Sequence, residues 1–354
     1  MSMQGTLVEC VPNFSEGRDK QLIEKITRPI READGVSLLD VDMGHDFNRT
    51  VVTMVGAPED VLNTVIECTR IATELIDMRE HSGEHSRMGA VDVVPFIPIQ
   101  GISMEGCVAL SERYAHAVSK DLDLPIYLYA EAARTPQRTR LPDIRRGQYE
   151  GMAEKVTSPE WKPDYGPAKF NPKMGVTATG ARPILIAYNV NLDTDDKSKA
   201  NSIAAKIRTS GSLVKDENGE KVVGGDGKPL RKPGMFQSLQ AAGWMFDPNT
   251  AQVSMNLLDY NETGLHEVTE AIRTEAKKIG LSVTAGELVG LVPFNAIKSA
   301  GNFYNNYDGE INQVSVVEKA ISGLMLDKLG NFDPESCIIE WAIDGRSRDE
   351  RRIQ

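Results

Sequence analysis

Cysteine is scarce. The 354-residue chain has four (Cys10, Cys68, Cys107 and Cys337), far apart and with no CxxC pair. That spacing excludes a zinc ribbon and a disulfide framework, and it points to a reducing compartment. Long hydrophobic runs are missing too: no stretch of 18 or more apolar residues escapes charge, so nothing reads as a membrane span. The opening Met-Ser-Met-Gln-Gly lacks the basic and apolar regions of a signal peptide, which leaves a cytoplasmic location as the expectation. Positive charge is in deficit, with 40 Lys and Arg against 51 Asp and Glu and a net charge of −11. A general nucleic-acid or anionic-membrane binder needs a basic face for phosphates, so neither partner is expected. A local basic pocket for a small anion stays compatible with that balance. The glycine-rich stretches match neither GxGxxG after a strand nor GxxxxGK[ST], so nucleotide phosphate binding is unsupported.

What remains is globular. With 40% hydrophobic and 26% charged residues, a chain of this length has the core-forming material for about two domains. Residues 7–11 read as a strand, followed by a Pro-Asn-Phe-Ser-Glu-Gly loop. Leu22, Ile23, Ile26 and Ile30 recur at helical spacing. Residues 36–41 and 49–55 form a strand pair, and Pro58-Glu59-Asp60 opens a second helix, since proline and acids suit a first turn. Residues 91–99 resume strand character, with Pro95 and Pro98 restricting them to an edge or a broken strand. The order is β-α-β-β-α-β, the split βαβ layout. A helix from Ser103 and a strand over 126–129 extend it.

The second half repeats the plan. Strands are expected over 184–190, 252–258, 281–284 and 288–292, and helices around 200–207 and 265–279. Residues 211–235, rich in Gly, Lys, Asp and Asn, read as an exposed hairpin or a disordered excursion. The junction falls in the unperiodic stretch 165–182. Long loops of that kind are usually linkers or functional, and a cleft between two such domains is a natural ligand site.

Two of the five histidines lie four apart, in His81-Ser82-Gly83-Glu84-His85-Ser86-Arg87. That spacing on a helix could ligate zinc, but Gly83 intervenes, the helical stripe has ended, and the glutamate of an HExxH motif is missing. No metal is therefore expected there. General acid/base work is the functional alternative to ordinary polar-loop histidines, because imidazole titrates near neutral pH. Glu84 or an aspartate folded close would orient the ring. Asp40, Asp42, His45 and Asp46 form an acidic cluster after a strand, open to reading as a magnesium site or a solvated turn. Arg49, Arg87 and Arg182 are candidate forks for carboxylates, each alternatively a surface ion pair. Cys10 near a strand end reads better as a core thiol than as a nucleophile.

Several phrases then add up to a family resemblance. They are Val8-Glu9-Cys10-Val11-Pro12-Asn13-Phe14-Ser15-Glu16-Gly17, Leu38-Leu39-Asp40-Val41-Asp42, Asn48-Arg49-Thr50-Val51 and the segment 81–98. Pro125-Ile126-Tyr127-Leu128-Tyr129, Gly175-Val176-Thr177-Ala178-Thr179-Gly180-Ala181-Arg182 and Asn256-Leu257-Leu258-Asp259-Tyr260 complete the series. From about residue 6 to 343 the chain resembles glutamate formiminotransferase, and it is similar to the transferase half of formiminotransferase-cyclodeaminase. It ends where a cyclodeaminase would begin. Two departures are Ser86, where the family often has proline, and a longer 211–235 excursion.

The resemblance implies an α/β (α+β sandwich) fold of two split-βαβ, ferredoxin-like subdomains. These would span residues 1–180 and 181–343, with facing sheets, a folate groove between them and a polar tail over 344–354. It implies transfer of a formimino group from N-formimino-L-glutamate to N5 of tetrahydrofolate, in histidine degradation, by a homodimer. Tetrahydrofolate is then a co-substrate, and a separate cyclodeaminase is a possible partner. The catalytic histidine of the family falls on His85. The folate loop falls on Gly166-Pro167-Ala168-Lys169-Phe170-Asn171-Pro172-Lys173-Met174-Gly175. With that chemistry, one histidine can shuttle a proton between the two nitrogens, and Asp42 is the anion that supports the ring or the amidinium. Both substrates are carboxylates, which makes Arg49, Arg87, Lys169, Lys173 and Arg182 their candidate partners. Three other readings stay open: formyl transfer from N-formylglutamate, folate binding without turnover, and a metal-dependent hydrolase built on His81, His85 and Asp42.

Overall fold

The computed structural model describes residues 5–217, 219–225, 227–305, 312–330 and 332–344. Residues 345–354 of the expected polar tail lie outside the described residues. The chain divides into two compact units, with the boundary between Pro183 and Ile184.

The first unit runs β1 (Leu7–Cys10), β2 (Asn13–Phe14), α1 (Lys20–Glu32), β3 (Val36–Gly44), β4 (Arg49–Gly56), α2 (Pro58–Leu75) and β5 (Val91–Gln100). It continues with α3 (Met104–Leu122), β6 (Ile126–Ala130), α4 (Leu141–Arg145), α5 (Gln148–Lys155) and β7 (Thr177–Ala181). Local chemistry accounts for the helices. Asp19 caps α1 by accepting from the Leu22 N–H at 3.1 Å, and Ile23, Ile26 and Ile30 bury one stripe. Pro58, Glu59 and Asp60 start α2, and Ser103 caps α3 through the Gly106 N–H.

All the strands join one seven-stranded sheet. Its antiparallel part is β3-β4-β1-β5, which is the split βαβ order, and β7 and β6 extend it in parallel beyond β5. Alternation along β6 divides the core between the two faces of the sheet. Ile126 and Leu128 join the large core under α1, α2 and α3, whereas Tyr127 and Tyr129 join a smaller one with Ile144, Met152, Val93 and Val176. That smaller core seats α4 and α5, and so places Arg145.

Two expectations fail in this unit. β5 is neither broken nor at an edge; it pairs with β1 and β2 on one side and β7 on the other. Its prolines are tolerated because Pro95 faces the gap between the ladders of β1 and β2, where its carbonyl accepts from the Val11 N–H, and Pro98 lies past the last β7 pairing. The stretch 165–182, read as a loop, contains β7. This parallel strand is buried throughout, so its Thr-Ala-Thr-Gly-Ala sequence shows no apolar–polar alternation to signal a strand.

The second unit runs β8 (Ile186–Leu192), α6 (Lys197–Ile207), β9 (Ser212–Leu213), β10 (Arg231–Lys232), β11 (Leu239–Asp247), β12 (Thr250–Leu257), α7 (Leu265–Lys278) and β13 (Val283–Val289). It ends with α8 (Phe294–Phe303), α9 (Gln313–Leu324), α10 (Pro334–Cys337) and α11 (Ile339–Asp344). The order β11-β12-β8-β13, antiparallel throughout, is again the split βαβ plan. Its core gathers Ile203, Ile207, Val268 and Ile272 of the helices against Tyr188, Val190, Val253 and Leu257. One strand, β13, replaces the two short ones expected over 281–292. The excursion is a hairpin: β9 pairs with β10, and most of its described residues are exposed. Among the described residues no helix is long and apolar enough to cross a membrane.

Candidate active site

The segment 81–90 has no regular structure of its own, and its shape comes from the turn between β3 and β4. Asn48 in that turn takes a left-handed backbone (φ 48°), which asparagine tolerates better than most residues. Its side-chain amide accepts from the Gly17 N–H at 2.9 Å and donates to the Ser82 carbonyl at 2.9 Å. The Glu84 N–H donates to the Asp46 carbonyl at 3.2 Å. Gly83 packs so closely that a Cβ there would lie 2.3 Å from the Phe47 carbonyl oxygen. This stapling sets both histidines against β4.

His81 and His85 then diverge. His81 Nε2 donates to the Asn48 carbonyl at 2.8 Å, and its Nδ1 accepts from Arg87 Nε at 3.4 Å, so both nitrogens are used and the ring is neutral. Arg49, the first residue of β4, donates through Nη1 to His85 Nε2 at 2.6 Å. Because arginine only donates, Nε2 is the acceptor and the neutral ring's proton sits on Nδ1. Nδ1 is buried; the Ser86 backbone is close enough to favour the protonated ring but makes no well-formed hydrogen bond to it. The Phe47 ring meets His85 edge-on at 6.3 Å. Burial first, then the charges of Arg49 and Arg145, push the His85 imidazole down to about 4 against an ordinary value of 6.5.

Arg145 and Asp92 are site residues that the sequence did not disclose. The Asp92 side chain is 1% exposed; Oδ2 accepts from Arg145 Nε at 3.0 Å and also from Nη2, and Oδ1 accepts from the Met88 N–H at 2.8 Å. An aspartate inside an apolar strand was the one available signal, since buried carboxylates need partners. Burial and then the Arg145 charge lower the Arg49 pKa, while Asp92 and Asp42 partly offset them.

The other expected residues are distributed unevenly around this cluster. Asp42 stands on β3 opposite Val51, exposed; its charge reaches Arg49, but no hydrogen bond joins it to either histidine. Glu84 makes no hydrogen bond or ion pair to either ring. Arg87 is already committed: it holds the Glu150 carboxylate through both terminal nitrogens at 3.0 and 2.7 Å and reaches Gln148 at 3.2 Å. Arg182 follows β7 and donates to the Pro183 carbonyl at 3.1 Å, and its charge and that of Arg145 both reach the buried Tyr129 hydroxyl, whose pKa burial raises. Cys10 is a buried core thiol pushed up by burial.

The loop 166–175 is firmly tied within the first unit. Gly175 N–H donates to the Asn171 carbonyl at 2.7 Å, and Met174 C=O accepts from the Ala90 N–H at 2.8 Å. Lys173 C=O accepts from the Met78 N–H at 2.9 Å, and its Nζ donates to the Glu74 carbonyl at 2.7 Å. The Tyr149 hydroxyl donates to the Pro172 carbonyl at 2.6 Å, and its ring lies 5.3 Å from that of Phe170. Ala168 and Lys169 stay exposed. Among the described residues, no group of three or more His, Cys, Asp or Glu is placed to hold a metal ion. In sum, the site offers a neutral histidine, two half-buried guanidinium groups and a nearby carboxylate, fit for moving a proton beside an anion.

Residues 7–182 match the family model described as formiminotransferase domain, N-terminal subdomain, and residues 187–344 match that of the formiminotransferase domain. The chain is 44% identical over 340 residues to the formimidoyltransferase-cyclodeaminase of Dictyostelium discoideum, covering 95% of this chain and 60% of that protein. It therefore spans about three fifths of the length of such two-activity relatives. It is 39% identical over 299 residues to the glutamate formimidoyltransferase of Streptococcus pyogenes serotype M1, covering 84% of this chain and 93% of that protein. The glutamate formimidoyltransferase of Thermoplasma acidophilum is likewise 39% identical, with coverage of 86% and 94%.

Proposed function

The chain belongs to the formiminotransferase family, and on that premise we propose that it carries the formimino group of N-formimino-L-glutamate to N5 of tetrahydrofolate. The products are 5-formiminotetrahydrofolate and L-glutamate. The observation that carries this reading is the state of His85: an imidazole that is neutral at pH 7, set beside two arginines. N5 attacks the amidine carbon and forms the new N–C bond, and its proton passes to Nε2 of His85. The ring then returns that proton to the glutamate nitrogen as the old C–N bond breaks. Proton transfer of this kind contributes ~10²- to 10⁴-fold, and alignment of the two substrates supplies much of the remainder. The amidine bears its own positive charge, which makes its carbon electrophilic without a Lewis acid, and Asp42 is the carboxylate to receive it.

Tetrahydrofolate is a co-substrate, and 166–175 is its loop, with Phe170 and Tyr149 as the aromatic wall. Arg49 and Arg182 serve substrate carboxylates, whereas Arg87, held by Glu150, orders the His81 segment. A homodimer in the cytoplasm, with a separate cyclodeaminase consuming the product of this step of histidine degradation, completes the proposal. The buried free thiols of Cys10, Cys68 and Cys107 accord with a reducing compartment.

The test is incubation with tetrahydrofolate and either N-formimino-L-glutamate or N-formyl-L-glutamate, following the folate absorbance. Change with the formimino donor supports the proposal. Change with the formyl donor alone makes the protein a formyltransferase, and change with neither leaves a folate-binding protein at most.

A further inference from the structure

His85 is not free to act as a base in the state described. The only lone pair of its neutral ring, on Nε2, is filled by the Arg49 N–H at 2.6 Å, and the other nitrogen carries the proton. A guanidinium donating to a neutral acceptor keeps its charge uncompensated, whereas a carboxylate would supply both an acceptor for its planar fork and the opposite charge.

The charge around it is unbalanced as well. Asp92 is used up by Arg145 and the Met88 N–H, so it neutralises one guanidinium and not two. Among the described residues, Arg145 Nη1 and the remaining guanidinium N–H groups of Arg49 make no hydrogen bond. The groups facing His85 are Arg49 from β4, Arg145 from α4, Asp92 from β5, the Phe47 ring and the Ser86 backbone. Asp42 also faces Arg49 from β3, but it is exposed and makes no hydrogen bond to it. Two cations against one buried carboxylate therefore leave a half-buried positive site, and such a site calls for an anion.

We propose that Arg49 and Arg145 together receive one carboxylate of the donor substrate, and that a carboxylate seated there draws Arg49 off Nε2 and frees His85 as the base. The identity of the donor rests on the transfer reading above; the carboxylate receptor itself does not. Arg145 acts as a binding residue and Asp92 as the positioning residue that fixes its fork. Free tetrahydrofolate then meets an unarmed histidine until the donor arrives.

The probe is glutarate, a dicarboxylate without the amidine, with the neutral diamide glutaramide as control. The His85 ring protons are followed by NMR through a pH titration of the whole protein. Glutarate should raise the His85 midpoint by roughly one pH unit or more, since an added anion beside a histidine favours its charged form. Glutaramide should leave it in place. Arg145→Gln should weaken glutarate roughly tenfold or more, the usual cost of losing a hydrogen bond to a charged group. If glutarate does not move His85 in the unaltered protein, or if folded Arg145→Gln binds it as well, the inference is overturned. Should Arg145→Gln fail to fold, the contrast between glutarate and glutaramide decides alone. A shift with glutarate but no formimino transfer to tetrahydrofolate would sink the transfer reading and leave the receptor standing.

Discussion

The Asn48 carbonyl oxygen accepts from His81 Nε2 at 2.8 Å, which locks that ring into a purely structural contact. One residue later the same strand end presents Arg49 to His85. Two histidines four residues apart thus receive opposite assignments from adjacent positions of one turn.

His85→Ala should lose roughly 10²- to 10⁴-fold in kcat, the range for a missing general acid/base, with the KM for tetrahydrofolate little changed. His81→Ala should act through the loop it pins and lose less. Steady-state kinetics of both folded variants checks this; a more damaging His81→Ala would withdraw the role given to His85.

Stability should depend on pH in a defined window. His85 titrates near 4 in the folded protein and near 6.5 when unfolded, so between those values the unfolded chain binds the extra proton. The stability tied to His85 is therefore full above pH 6.5 and falls as pH drops toward 4. Urea unfolding at several pH values should show a shallower acid loss in His85→Ala. Some slope should persist, because burial lowers the His81 pKa as well. An unchanged slope would mean that His85 does not carry the depressed titration.

Gly175 has φ +70°, and a Cβ there would lie 2.2 Å from the Met88 carbonyl oxygen. Gly175→Ala should cost ~1 kcal/mol for the left-handed backbone alone, and more for the clash. Thermal unfolding should drop, and the KM for tetrahydrofolate should rise more than that for the donor. Equal changes in both would deny the loop 166–175 a folate-specific role.

Among the described residues, none of the hairpin beyond β9 up to Lys232 belongs to the buried core of the second unit. Replacing residues 215–229 with a short turn should leave kcat/KM within a few-fold. Loss of activity in a folded variant would show that the hairpin serves the site.

The split βαβ order of the first unit was legible along the chain, because amphipathic helices carry a 3.6-residue period and half-buried strands alternate. In the second unit β11 (Leu239–Asp247), an edge strand with Ala241, Ala242 and Gly243 at its centre, was not anticipated. The helix caps Asp19 and Ser103 were local features too. β7 was missed because a strand paired on both sides and buried throughout loses that alternation, and β5 was misplaced at an edge because prolines are admitted wherever no partner awaits their N–H. The histidine pair and Arg49 stood out in sequence, but nothing local distinguished a locked ring from a working one. That distinction depends on Asn48, more than thirty positions from His81. Arg145 meets Asp92 of β5 across 53 residues only because the core around Ile144 and Tyr129 seats α4 against β6, on the same face of the sheet. A buried ion pair has no sequence period, since desolvation and geometry create it after the chain has folded.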